Sequence, residues 1–125
     1  MHIFIGFILA GKNELIYLLA LLLILDFATG FLKSVIKKVT NSKIAKEGAI
    51  KHTSTFVFYY IVTSLSYCVH LESLSSLLLI YILLTYAISI IENLGVMGVP
   101  IPKFLENKVK NELKHYDDIL NKKED

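Results

Sequence analysis

The most constraining feature of this chain is an unbroken apolar run that is followed by an acid. Eleven apolar residues extend from Leu15 to Leu25, and Asp26 then stands where another apolar side chain would be expected. A helix over residues 15–35 is roughly 30 Å long, which matches the apolar core of a bilayer. A carboxylate at the middle of such a helix costs about 2.5–3.5 kcal/mol or more. We therefore expect Asp26 to have a role inside a membrane assembly.

The composition agrees with a small membrane protein. The chain has 125 residues, of which 54% are hydrophobic, and these occur in continuous blocks rather than in alternation. Continuous blocks favour helices over a barrel. The single cysteine, Cys68, excludes an intramolecular disulfide. No basic region precedes the first apolar stretch, so we do not expect a cleavable signal peptide.

The blocks predict an all-α membrane protein with three transmembrane helices, a short apolar N-terminal segment and a charged, partly helical C-terminal tail. The N-terminal segment is too short to span, and we expect it to be interfacial or re-entrant; a frayed extension is the alternative. The predicted segments are 1–14 (N-terminal segment), 15–35 (first span), 36–52 (lysine-rich loop), 53–71 (second span), 74–94 (third span) and 95–125 (tail).

Lysines predict the topology. The basic residues between the first two spans are interpreted as headgroup contacts rather than as a nucleic-acid patch, because no aromatics are interleaved with them. By the positive-inside rule this loop is cytoplasmic, so the N-terminus is expected outside and the C-terminus inside. These residues are Lys33, Lys37, Lys38, Lys43, Lys46 and Lys51.

One face of the first span combines an acid with small residues. On a helix, Asp26, Thr29, Gly30 and Lys33 share this face. Small residues allow close helix contact in lipid, and a polar group beside them can bond across the contact. The hypothesis is that this face governs helix packing or triggering. The alternative is that Asp26 merely pairs with Lys33 or with a hydroxyl on a neighbouring span.

Polar residues at the end of the third span are assigned to the same hypothesis. Glu92 and Asn93 lie where this helix should emerge into the cytoplasm, and the alternative is a headgroup-level acid beside a helix-ending Asn. Gly95 is expected to adopt positive φ just past the helix, and Pro100 and Pro102 to prevent its continuation.

The second and third spans each carry a semi-polar stripe at helical spacing. Such stripes can face other helices or line water after rearrangement, and the sequence leaves both open. The stripe residues are Tyr59, Thr63, Ser66 and Tyr67 on the second span, and Tyr81, Thr85 and Ser89 on the third. His70 follows the second-span stripe and is interpreted as an interfacial residue.

The tail has apolar residues at helical spacing, including Leu105, Val109, Leu113, Tyr116 and Leu120. They are typical of a short helix that binds a partner, and equally of a helix on the membrane surface.

Two blocks of the chain resemble the toxin-secretion/phage-lysis holin family of low-GC Gram-positive bacteria and their phages. One is LDFATG around Asp26, with the basic loop and Lys51 after it. The clearer one is SIIENLGVMGVPIPKFL, residues 89–105. The resemblance extends from about Leu15 to Leu113. It does not reproduce the polar or acidic residue that members often carry before the Ser-Ile pair, where this chain has Tyr86 and Ala87.

The resemblance implies a protein that forms homo-oligomers in the cytoplasmic membrane of the host cell and permeabilises it at a set time. An endolysin or a toxin would then leave without needing direct contact, and host lysis (cytolysis) would follow. The alternatives are a small accessory or regulatory membrane subunit and a small ion-channel component. No glycine loop, nucleophile elbow or metal-spaced Cys/His cluster is present, so we expect no enzyme, catalytic residue, metal or cofactor. The lipid bilayer and further copies of the chain are the expected partners.

Overall fold

The computed structural model describes residues 2–39 and 41–124. Within these residues the chain is helical and has no strand. The helices are α1 (His2–Gly11), α2 (Glu14–Ile36), α3 (Ser42–Cys68), α4 (Glu72–Val96) and α5 (Lys103–Glu124).

Helix α2 corresponds closely to the predicted first span. It begins because Asn13 caps it, accepting a hydrogen bond from the Leu15 amide at 2.9 Å. At its end Lys38 adopts a φ of 58°, and the Val39 amide bonds back to the Ser34 carbonyl at 3.0 Å. This is the closed helix end that a left-handed residue makes possible.

Helix α3 begins much earlier than predicted, so the predicted loop over residues 36–52 is wrong in its second part. Asn41 is the cap, accepting from the Ile44 amide at 2.8 Å, and residues 42–52 continue directly into the apolar part of the helix. Gly48 lies inside the helix and faces the ring of Phe27. Lysine, glutamate and alanine are good helix formers, so the charges keep this segment polar without preventing a helix.

The other end of α3 and the end of α4 also differ from expectation. Helix α3 ends at Cys68, and His70 follows it with a φ of 58°. At the end of α4 the positive φ belongs to Gly98, at 90°, whereas the predicted Gly95 is still helical. The prediction for Gly95 is therefore wrong, because the helix continues past it to Val96.

Helices α2, α3 and α4 form a bundle in which α2 and α4 are parallel. Asp26 contacts Ser89, and Thr29, one turn later, contacts Asn93. Helix α3 is antiparallel to both. The end of α3 lies near the start of α2, where Tyr67 contacts Asn13. The buried apolar core lies mainly between α2 and α4 and consists of Ile16, Leu19, Leu23, Leu79, Leu83 and Tyr86.

Helix α1 packs on the second half of α3. Gly6 lies directly against the backbone carbonyl of Ser64, and the Tyr60 hydroxyl donates to the Phe7 carbonyl at 2.8 Å. Beyond α1, Asn13 donates to the Tyr67 hydroxyl at 3.1 Å.

In the described part of the chain, α2 and α4 are the two helices long and apolar enough to cross a membrane. Only 28% of the most apolar stretch of α2 and 22% of that of α4 is buried. A core helix of a soluble protein would be mostly covered, so these apolar surfaces suit lipid. Helix α3 does not qualify because it combines a charged first part with hydroxyl residues such as Thr63 and Ser64. The predicted three spans are therefore not confirmed.

Helix α5 confirms that the tail is helical, and it folds back on α4. Its residues Val109, Leu113, Tyr116 and Leu120 are half-buried, whereas Leu105 is exposed. The hydrogen bond from Lys110 to Glu106, 2.9 Å long, raises the pKa of Lys110, and the charge of Glu92 on α4 adds a smaller increase.

Candidate functional site

Asp26 is the centre of a polar cluster that joins three helices. Its side chain is buried, with the residue only 8% exposed. One carboxylate oxygen, Oδ2, lies 2.7 Å from Nε2 of His52 on α3. The other, Oδ1, accepts from Ser89 Oγ at 2.5 Å and from Asn93 Nδ2 at 3.4 Å, both on α4. The carboxylate therefore has partners on both neighbouring helices, as a buried charge requires.

His52 is fixed from its other side by its own helix. Its Nδ1 lies 2.7 Å from the carbonyl oxygen of Gly48, one turn earlier. A carbonyl can only accept a hydrogen bond, so Nδ1 carries the proton. The rings of Phe27 and Tyr86 lie at 6.1 and 5.6 Å from the imidazole, centroid to centroid. The imidazole is thus held between α2 and α4.

Thr29 and Asn93 extend the cluster toward the end of α2. Asn93 Nδ2 donates to Thr29 Oγ1 at 3.1 Å, and the Thr29 hydroxyl donates to the Leu25 carbonyl at 2.8 Å. Gly30 lies beside them, where an added Cβ would be 3.6 Å from Asn93 Nδ2. The small residues of this face thus lie against α4, as their spacing indicated.

Comparison with protein families shows what kind of chain carries this cluster. Residues 3–114 match the model of the bacteriophage holin family. The chain belongs to that family. No curated protein and no solved structure matches it significantly. The match includes all of α2, α3 and α4, so every residue of the cluster lies within the holin-family region.

The structure brings together most of the residues that the packing hypothesis named for this holin-family chain. Asp26, Thr29, Gly30 and Asn93 lie in one cluster. Glu92 does not join them, because it is exposed and lies on the side of α4 near α5. Adjacent positions on a helix point about 100° apart, so Glu92 and Asn93 cannot share a contact.

Some of the stripe residues line a cavity, and others are buried farther from Asp26. A cavity of about 540 Å³ between α3 and α4 is lined by Tyr59, Thr85 and Ser89, and it reaches Asp26. Farther from Asp26, Thr63 and Ser66 are buried, and the Thr63 hydroxyl has no hydrogen-bond partner among the described residues. Tyr67 bonds to Asn13 as described above, and Tyr81 is half-buried.

The lysines used to predict the topology lie at one end of the bundle. Lys33 and Lys51 line a second cavity, of about 460 Å³, which also reaches Asp26. The remaining ones are exposed, namely Lys37, Lys38, Lys43 and Lys46. Pro100 and Pro102 follow the end of α4 and separate it from α5.

His52 is the site residue that sequence reasoning missed. It was assigned to the end of a loop, where an imidazole has no defined neighbour. Had residues 42–52 been treated as helix, His52 would have fallen one turn after Gly48 and at the entrance to the apolar segment. A histidine there is a natural partner for an acid buried in the adjacent span, and this spacing was the available signal.

Proposed function

We propose that this chain acts as a holin, which accumulates in the cytoplasmic membrane, assembles with further copies and permeabilises the membrane at a set time. An endolysin or a toxin then leaves the cytoplasm, and host lysis follows. The observation that carries the proposal is the holin-family match over residues 3–114, which contains an acid buried in an apolar helix and partnered on two others.

The proposed topology has three crossings, made by α2, the apolar part of α3 and α4. Residues 53–68 of α3 cover about 24 Å as helix, which is enough for most of an apolar core. Because α3 is bonded to α2 at Asn13 and at Asp26, it lies alongside α2 over most of its length. The lysine-rich end then faces the cytoplasm, with the N-terminus outside and α5 inside.

Assembly follows from the small size of one bundle. Three crossing helices cannot enclose a lumen wide enough for a folded enzyme, so a lesion requires several copies. The side of α2 away from the bundle offers exposed apolar residues for lipid or for further copies, including Leu18, Leu21 and Leu25. No cofactor and no direct contact with the released protein is needed.

The decisive experiment is induced expression of the full chain with a potential-sensitive dye and a co-expressed cytoplasmic lysin reporter. A holin stops growth, collapses the potential and releases the lysin. Normal membrane accumulation with an unchanged potential and no release contradicts the proposal. A stable complex with another protein and no toxicity would instead indicate an accessory subunit, and conductance without lysin release an ion channel.

The topology is tested separately with a Cys68→Ser background that carries one new cysteine. Ser73→Cys, exposed in the first turn of α4, should react with an impermeant thiol reagent in intact cells. Asn107→Cys, on α5, should react only after the cells are opened. The reverse pattern would overturn the proposed orientation.

A further inference from the structure

We propose that His52 and Asp26 form a proton-binding latch, in which one shared proton holds α3 against α2 and its loss releases α3. This goes beyond the proposed function, because it concerns the packing of the bundle and can be measured without any lesion.

The hydrogen bonds fix the number of protons in the pair. Nδ1 of His52 donates to the Gly48 carbonyl, so it is already protonated. The 2.7 Å contact between Nε2 and Oδ2 of Asp26 then needs one further proton between the two atoms. Whether that proton resides on nitrogen or on oxygen, the pair as a whole is neutral. A neutral pair is the form that a buried site tolerates best.

Removal of the shared proton changes an attraction into a repulsion. An anionic carboxylate would then face the lone pair of a neutral imidazole, and its hydrogen-bond donors would be Ser89 and Asn93. Both of these belong to α4, so Asp26 would remain bonded to α4 and lose its bond to α3. A second proton is less disruptive, because a protonated His52 could still donate to the carbonyl oxygen of a neutral Asp26.

Helix α3 is the element free to respond, because its contact with α2 is thin near the pair. An apolar groove of about 410 Å³ separates the two helices on one side of His52, and the lysine-lined cavity separates them on the other. In contrast, α2 and α4 share a continuous apolar core. A second side-chain hydrogen bond joins the α2 cap to α3, that of Asn13 with Tyr67, and it lies at the opposite end of the bundle.

The surroundings favour exchange of the proton. Both polar cavities reach Asp26, and at about 540 and 460 Å³ each has room for several waters. The charged groups that face the site are Lys33 from α2 and Lys51 from α3. Both lysines line the cavity that reaches the pair. The titratable but uncharged groups that face it are Tyr86 from α4 and Tyr59 from α3. Histidine is the side chain suited to exchange of a proton near neutral pH.

The first test follows the proton directly. The full chain with ¹⁵N-labelled histidine is placed in phospholipid vesicles, and His52 is identified by subtraction of a His52→Gln spectrum from the four histidines. The latch predicts a protonated Nδ1 throughout and loss of the Nε2–Asp26 proton on raising the pH. An unprotonated Nδ1 at neutral pH would overturn it.

The second test follows α3. Spin labels are placed at Leu32→Cys and Ile50→Cys, both exposed, in a Cys68→Ser background diluted with unlabelled protein. Between about pH 5 and 9 the distance should increase by about 5 Å, half the usual spacing of packed helices. The double variant Asp26→Asn/His52→Gln, whose amides can still bond to each other, should remove the pH response. His115→Gln, on α5, should leave it intact. A distance independent of pH, or a response retained in the double variant, would overturn the latch.

Discussion

The imidazole of His52 and the carboxylate of Asp26 meet at 2.7 Å although 26 positions separate them in the chain. This contact is the principal polar bond between α2 and α3, and it lies beside the best-packed part of the α2–α4 pair. Its first consequence concerns stability.

Removal of His52 should destabilise the bundle more than its replacement by an amide. His52→Ala leaves a buried carboxylate without its partner on α3, which typically costs about 3–5 kcal/mol. His52→Gln can still donate to Asp26 and should lose much less. Denaturant unfolding in detergent micelles, followed by circular dichroism, measures the difference. Equal loss in both variants would mean that the hydrogen bond to Asp26 contributes little.

Asp26→Asn should change the timing of lesions without preventing insertion. The amide oxygen can still accept from Ser89, and the amide can donate to a neutral His52, so packing is retained while the carboxylate charge is lost. Lysis time is measured in cultures matched for membrane accumulation. Asp118→Asn, an exposed acid on α5, is the control. Timing identical to the unchanged chain would assign Asp26 to packing alone.

Gly6→Ala should loosen α1 from α3. An added methyl would overlap the Ser64 carbonyl and meet Cys68 Sγ at 2.9 Å, and backbone cannot move aside as a flexible side chain can. Faster hydrogen exchange in α1, with α4 unchanged, is the expected result. Gly95→Ala is the matched control, because nothing lies within 4 Å of its added Cβ and alanine favours a helix. Unaltered exchange in Gly6→Ala would show that α1 can shift without loss.

His70→Gly should stabilise the turn between α3 and α4. His70 adopts a φ of 58°, which costs a non-glycine residue roughly 1 kcal/mol or more, and the substitution removes that cost. Gly98→Ala, at a φ of 90°, should have the opposite effect. Thermal unfolding in detergent compares the two, and a lower midpoint for His70→Gly would show that the imidazole has a contact worth more than the strain.

Deletion of the chain after Leu105 should shift the time of lysis rather than abolish it. The truncation removes most of α5 and uncovers the side of α4 on which it lies, while the three-helix bundle and its polar cluster are retained. Onset of lysis after induction is the measurement. Complete loss of lysis at normal membrane levels would place α5 within the permeabilising assembly itself.

The sequence predicted those features that depend on neighbours along the chain. The apolar run placed α2 within a residue or two, and helical spacing placed Asp26, Thr29 and Gly30 on one face of it. It failed where two signals competed. The lysines in residues 36–52 predict a cytoplasmic segment, but they do not predict a loop, because a charged segment can still be helical.

Partners across the bundle were beyond the reach of periodicity. A helical spacing shows which side of α4 Asn93 occupies, but it does not show which helix lies opposite. Asn93 was included with Glu92 because both are polar at a helix end, and only the packing distinguishes them. To predict the contact of His52 with Asp26, α3 would have to be extended to include residues 42–52 and then placed beside α2. The predicted loop over residues 36–52 excluded the first of these.

Short connections hold α3 at both ends. Only five residues join Ile36 to Ser42, and three join Cys68 to Glu72. With its two ends tethered, α3 can move sideways about them, but it has little freedom to slide along its axis. Such a sideways movement carries little charge along the membrane normal. The membrane potential would therefore have little effect on this motion, and the protonation of the His52–Asp26 pair would decide when it occurs.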